Sequence, residues 1–194
     1  MNKLRRAPAP RRLGPVDLAV CLVFAALCQG LWVACKMAGA IFPYNHVCLA
    51  FAVAFCLAGC LTVAARRLAS AAFTLGWVCI NCLAQGEHPI YFACVLVLPL
   101  LPELLLAARS RRLPHPDQVF RRFGTLWLPV VLYTVLYFWW NFLVIYTVRQ
   151  VAVHLPELLL AFLLAVPAAL LGALAGAVVF HPLCRAPREK EMHR

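Results

Sequence analysis

Cys79 and Cys82 stand three residues apart, the C-x-x-C spacing at which a dithiol can cycle with a disulfide once one thiolate is stabilised and exposed. Membrane thiol oxidoreductases relay electrons through a second external pair, and Cys48 is the one further cysteine expected near the same face. A different chemistry is offered by polar residues set in or beside apolar runs: Gln29 and Lys36, Asn81 and Gln85, and Asn141 beside Trp139 and Trp140. Neighbouring connections add Tyr44, Asn45 and His46, then Glu87, His88 and Tyr91, then Arg149, Gln150, His154 and Glu157. A few charged or hydrogen-bonding groups among aromatic walls orient a small ligand. The expected ligand-binding set is therefore Lys36, Asn45, His46, Asn81, Gln85, Glu87, His88, Trp139, Trp140 and Asn141. The same residue types also make up the aromatic belt of membrane proteins in general; Asn81 and Asn141 fit that second reading least, because they fall inside apolar runs that require them to find partners. There is no zincin signature, phosphate-cradling loop or nucleophile elbow, which argues against a hydrolase or a nucleotide-driven pump. No catalytic residue, metal or cofactor is expected, and His115 and His181, each beside proline, read as loop residues.

The elements that must position these residues follow from hydropathy. Of 194 residues 64% are hydrophobic and 13% charged, against roughly half and a quarter in a soluble domain. Six apolar runs, 16–35, 47–65, 68–84, 90–108, 126–148 and 158–180, approach the ~20 helical residues that cross a bilayer core. They are apolar on every face rather than alternating, so a barrel is excluded and the expectation is an all-α bundle of six transmembrane helices. A basic tail (1–15), the helical domain (16–180) and a polar C-terminal tail (181–194) divide the chain.

The net charge of +11 is not the footprint of nucleic acid, because the basic residues sit at run ends. Placing the N-terminus in the cytoplasm gathers every Lys and Arg except Lys36 and Arg149 on that side, as the positive-inside rule requires. Both termini are then cytoplasmic and the site is a multi-pass cell (inner) membrane. The first run is too long for a signal-peptide core and lacks a cleavage site, so it reads as a retained helix. The polar residues collect toward the outer leaflet, leaving the inner half with Asp17, Ser70, Thr74 and Glu103. That asymmetry implies a pocket open outward and closed below. Glu103 follows Pro99 and Pro102; it either reaches the inner surface to pair with an arginine or belongs to a proton or ion path.

Small residues recur at spacing four: Gly172 and Gly176 after Ala168, a second ladder of Ala165, Ala169, Ala173 and Ala177, and Ala26 with Gly30. Such ladders let helices approach closely. They serve either packing inside the bundle or docking of another membrane subunit, for which Ala26, Gly30, Gly172 and Gly176 are the candidates. Cys21, Cys28 and Cys35 line one helix face at spacing seven; cysteines in such helices behave as small hydrophobes.

In order along the chain come Ala65-Arg66-Arg67, the turn Gln85-Gly86-Glu87-His88-Pro89, Leu104-Leu105-Leu106 after Pro102-Glu103, and Arg109-Ser110-Arg111-Arg112. With the Gly172–Gly176 ladder, this order resembles the substrate-binding S component of energy-coupling factor transporters, of the hydroxymethylpyrimidine or thiamine-precursor type. The family's coupling motif of spaced alanines is partly matched by Ala26 and Gly30. The resemblance implies a non-enzymatic subunit that captures a vitamin or precursor from outside and works with a transmembrane coupling subunit and cytoplasmic ATPases. It also implies that Trp139 and Trp140 stack on a heteroaromatic ring while Glu87 favours a cationic ligand. A thiol oxidoreductase using Cys79 and Cys82, and a non-catalytic assembly protein, are the alternatives.

Overall fold

The computed structural model describes residues 13–38, 44–64, 68–85, 99–100, 103–105, 119–148 and 154–184. Among these residues the chain is helical with no strand: α1 (Pro15–Met37), α2 (Tyr44–Ala64), α3 (Ala69–Gln85), α4 (Val119–Val148) and α5 (Leu155–Val179), then a 3-10 turn at His181–Cys184. Three of them, α1, α2 and α5, are long and apolar enough to cross a membrane, and Ala69–Leu83 and Leu126–Trp140 are shorter apolar stretches. Most of the expected fourth span, 90–108, lies outside the described residues, as do most of both tails.

Helix boundaries follow local chemistry. Pro15 occupies the first turn of α1, and the Asp17 carboxylate accepts the Gly14 N–H at 3.0 Å, so an acid sits on the positive end of the helix dipole. At the far end α1 runs two residues past its expected limit, bringing Lys36 into a last turn that favours a cation. Helix α3 starts at Ala69 rather than 68, because Leu68 takes a left-handed turn with φ 67°. Helix α4 begins at Val119 instead of 126, so the helix extends about two turns ahead of the apolar run. In α5, Pro156 and Glu157 form the first turn, which places Glu157 in a helix instead of a connection.

Three contact pairs fix the helix directions. Trp77 on α3 reaches Gln29 on α1, and Tyr137 on α4 stacks on Trp77 while Tyr133 meets Thr74. Those α3–α4 pairs ascend together, so the two are parallel; α1 meets α2 in descending order, Phe24 at Gly59 and Trp32 at His46, and runs with α3, Leu22 at Gly76 and Gln29 at Trp77. The glycines of α5 meet Phe51 and Phe55 of α2, again in ascending order; α2 and α5 are parallel to one another and opposed to the first three. Consequently α1 begins and α5 ends at the same end of the bundle, called here the Asp17 end, and the opposite one the Lys36 end.

Helix α2 is the centre: 72% of its apolar window is buried, against 28% for α1 and 33% for α5. The outer helices turn Val23, Leu27, Leu159, Leu163 and Leu171 outward, a surface that suits lipid and would be costly in water. The α2–α5 seam depends on glycine. A Cβ at Gly172 or Gly176 would run into the backbone carbonyl oxygen of Phe51 or Phe55, and into further atoms at 3.1–3.2 Å. Gly172, Gly176 and the alanine ladder of α5 are buried in this contact. The expectation that Gly172 and Gly176 dock another subunit is thus corrected: α2 of the same chain occupies them. Ala26 and Gly30 remain exposed on α1, with nothing within 4 Å of a Cβ built at Gly30.

Candidate functional site

Ser70, Thr74, Trp77 and Asn81 recur on α3 at intervals of four, three and four, which aligns them on one helix face. That face meets α1 and α4, and all but the half-buried Asn81 are fully enclosed. At the Asp17 end the Ser70 hydroxyl donates to Glu103 Oε1 at 2.6 Å, and the Ser70 N–H reaches the same oxygen at 3.3 Å. One turn on, the Thr74 hydroxyl donates to the Ser70 carbonyl at 2.6 Å and lies 2.7 Å from the Tyr133 hydroxyl. The next turn brings the Trp77 indole N–H to Gln29 Oε1 at 3.1 Å, with the Tyr137 ring centroid 4.7 Å from that of Trp77. Polar groups from four stretches of chain thereby form an interior lane through an apolar bundle.

Two donors in this region are left over. Gln29 Nε2 and Trp140 Nε1 are buried and have no partner among the described residues. Trp140 lies three residues after Tyr137 and seven after Tyr133, on the side of α4 that carries the α3 contacts. An orphaned buried donor costs about 1–3 kcal/mol, and native interiors carry few of them. Gln29 and Trp140 therefore present N–H groups suited to a bound acceptor such as a carbonyl oxygen or a ring nitrogen. The Trp77 ring adjoins Gln29, and Tyr137 packs against Trp77.

The expected ligand set divides. Asn81 lies on the lane's α3 face and Trp140 on its α4 wall. Lys36, Asn45 and His46 form a separate cluster at the Lys36 end. There Lys36 Nζ lies 4.7 Å above the Trp32 ring, a cation–π contact, and the His46 and Asn45 side chains meet at 2.5 Å. The His46 ring is packed among Trp32, Phe138 and Phe142 at centroid distances of 6.1, 5.6 and 5.0 Å. It is an aromatic plug over that end rather than an open pocket wall. Trp139 is 59% exposed and leans on Phe162 at 6.0 Å, apart from both groups. Glu87 and His88, and the side chains of Gln85 and Asn141, lie outside the described residues.

Sequence reasoning missed Trp77 and Tyr133, and it named Gln29, Ser70, Thr74 and Glu103 without joining them. The available signal was the shared face of residues 70, 74, 77 and 81; the partners on other helices could not be read from spacing. Ser70, Thr74 and Glu103, three of the four residues excepted from an otherwise apolar half, assemble at the Asp17 end.

Cys79 is exposed and Cys82 half-buried on α3, and no disulfide joins them. Among the described residues no group of three or more His, Cys, Asp and Glu is placed to hold a metal ion. Glu103→Ala should remove the acceptor of the Ser70 N–H and hydroxyl and destabilise the bundle by about 1–3 kcal/mol. Glu103→Gln, which keeps an acceptor oxygen, should lose less; unfolding midpoints in detergent measure both.

No family model, curated protein or solved structure matches the chain.

Proposed function

We propose that the chain is a multi-pass membrane protein that binds a small solute between α1, α3 and α4, as the capture subunit of an uptake system for a vitamin or vitamin precursor. The observation that carries this reading is the pair of orphaned donors, Gln29 Nε2 and Trp140 Nε1, in the lane beside Trp77 and Tyr137. Inside a bilayer such groups find no bulk water, so a solute bearing acceptors recovers what folding leaves unmade. Flat aromatic neighbours favour a heteroaromatic ring, whose nitrogens or oxygens accept while its faces stack.

Charge sets the orientation. The Arg and Lys residues of both tails flank the Asp17 end, which makes it the cytoplasmic side. Solute then enters from the Lys36 end, past Lys36 and the His46 plug. The exposed Ala26–Gly30 face of α1 is where a transmembrane coupling subunit would pack, with cytoplasmic ATPases supplying energy, as in the S-component arrangement.

Purified protein in detergent should be screened by thermal shift against vitamins and heteroaromatic precursors. At least one acceptor-bearing heteroaromatic compound is expected to raise the midpoint with a saturating dose dependence, as binding to the native state alone requires. A panel without any response would overturn the reading.

A further inference from the structure

Glu103 belongs to the apolar run 90–108 and sits half-buried at the Asp17 end, against the first turn of α3. An ionisable group in such a run is costly and is kept where its charge is used. The solute reading uses the donors of Gln29 and Trp140 and leaves Glu103 without a task. Its surroundings accept either protonation state. As a carboxylate it takes the Ser70 hydroxyl at 2.6 Å and the Ser70 N–H at 3.3 Å on Oε1. The Ser70 hydroxyl also has a second acceptor, the Pro99 carbonyl oxygen at 3.4 Å. A hydroxyl carries one proton and two lone pairs. Once protonated, Glu103 can therefore donate to Ser70 Oγ while the Ser70 proton turns to Pro99, and every one of these donors still meets an acceptor oxygen.

We propose that Glu103 is a proton-binding site reached from the Asp17 end, and that its proton is exchanged against solute held in the α1–α3–α4 lane; the exchange rests on the solute site proposed above. The step is Glu103–COO⁻ + H⁺ → Glu103–COOH, with the proton drawn from water at that end and nothing oxidised or reduced. A metal cation suits the place less well, because on Oε1 it would face the Ser70 N–H that points at the same oxygen. Coupling runs along α3. The Ser70 carbonyl accepts the Thr74 hydroxyl at 2.6 Å, and Thr74 Oγ1 lies 2.7 Å from the Tyr133 hydroxyl on α4. Hydrogen bonds in such a chain polarise one another, and Trp77 follows on the same α3 face. The carboxylate holds the first turn of α3 through both Ser70 bonds, so the lane described above is the lane of the ionised form. Solute that fits it favours the carboxylate and releases a proton, and by reciprocity acidification weakens solute binding.

The titratable groups that face Glu103 are Asp17 and Cys21 of α1 and Cys60 of α2, with Tyr133 of α4 behind Thr74. His181 follows α5 at the same end, and Lys36 lies at the far end of α1. A readout confined to carboxyl groups separates Glu103 from the thiols, the phenol, the imidazole and the amine.

Infrared difference spectroscopy of the full-length protein in lipid, between weakly alkaline and weakly acidic buffer and without solute, provides that readout. The chain has seven Asp and Glu residues, few enough for a protonated-carboxyl C=O band to be assigned by substitution. A reversible band is expected on acidification. It should be absent in Glu103→Gln, shifted in Ser70→Ala, which removes the hydroxyl partner, and retained in Asp17→Asn and in sodium-rich buffer at the same pH. Folding is checked by helicity and elution volume. No band that depends on Glu103 and Ser70, a band lost instead in Asp17→Asn, or a band displaced by sodium at constant pH would each overturn the proton site. With a solute from the thermal-shift panel, affinity in the parent should fall about five-fold or more on acidification and stay level in Glu103→Gln; equal pH dependence in both would overturn the exchange. A silent panel defeats the solute reading and the exchange with it, while the proton site stands or falls on its own band.

Discussion

Gly176→Leu should abolish recovery of the folded bundle, and Gly172→Leu should do nearly as much. Overpacking a core by side-chain displacement costs about 1–3 kcal/mol. Here a Cβ already meets the carbonyl oxygen of Phe55 or Phe51, and a backbone carbonyl of the central helix cannot swing aside as a side-chain tip does. The helices must separate, and the seam loses its close contact along the buried alanine ladder. Lipid supplies no hydrophobic drive to restore that contact. Gly176→Ala should sit between, with about 1–3 kcal/mol lost. Gly30→Leu is the internal control, because nothing lies within 4 Å of its Cβ, and its unfolding midpoint should stay near that of the parent. Elution profile and thermal midpoint in detergent distinguish the three cases; a monodisperse, normally stable Gly176→Leu chain would refute the described α2–α5 seam.

The second large effect concerns the lane. Gln29→Leu keeps the approximate volume of the side chain but removes one orphaned donor and the acceptor of Trp77. Solute affinity should fall by about 10- to 100-fold, the equivalent of one or two lost hydrogen bonds to a desolvated ligand. Trp140→Phe removes the other orphaned donor and disturbs no hydrogen bond within the described residues. It should therefore lower affinity about tenfold while leaving the ligand-free protein little changed in stability. Loss of binding without loss of stability is the expected mark of a group held for a ligand, since unmade interactions at a functional site are carried at the fold's expense.

What the sequence discloses about this protein depends on range. The apolar runs that became α1, α2 and α5 announce themselves through hydropathy alone, and their ends shift by no more than three residues, with Pro15 and Pro156 in the first turns of α1 and α5. The start of α4 moved further, since the basic stretch before Leu126 has no apolar signal although the helix runs through it. The glycine ladder was visible as a close-packing surface, yet spacing cannot say whose backbone it meets. Sorting residues by expected depth gathered Lys36, His46 and Trp139, which the fold separates: His46 packs among aromatic rings and Trp139 is exposed on α4. Sorting α3 by helix face would have gathered Ser70, Thr74, Trp77 and Asn81. Their partners Gln29, Glu103 and Tyr133 are between 33 and 59 residues away in sequence, and only the tertiary fold brings them in.

In the proposed function Gln29 Nε2 and Trp140 Nε1 donate to a bound solute. Equilibrium titration of the best heteroaromatic compound into parent, Gln29→Leu and Trp140→Phe proteins tests it most directly. The account predicts the tightest binding in the parent and a loss of about tenfold or more in both variants at near-parent stability for Trp140→Phe; equal affinity in all three would contradict it.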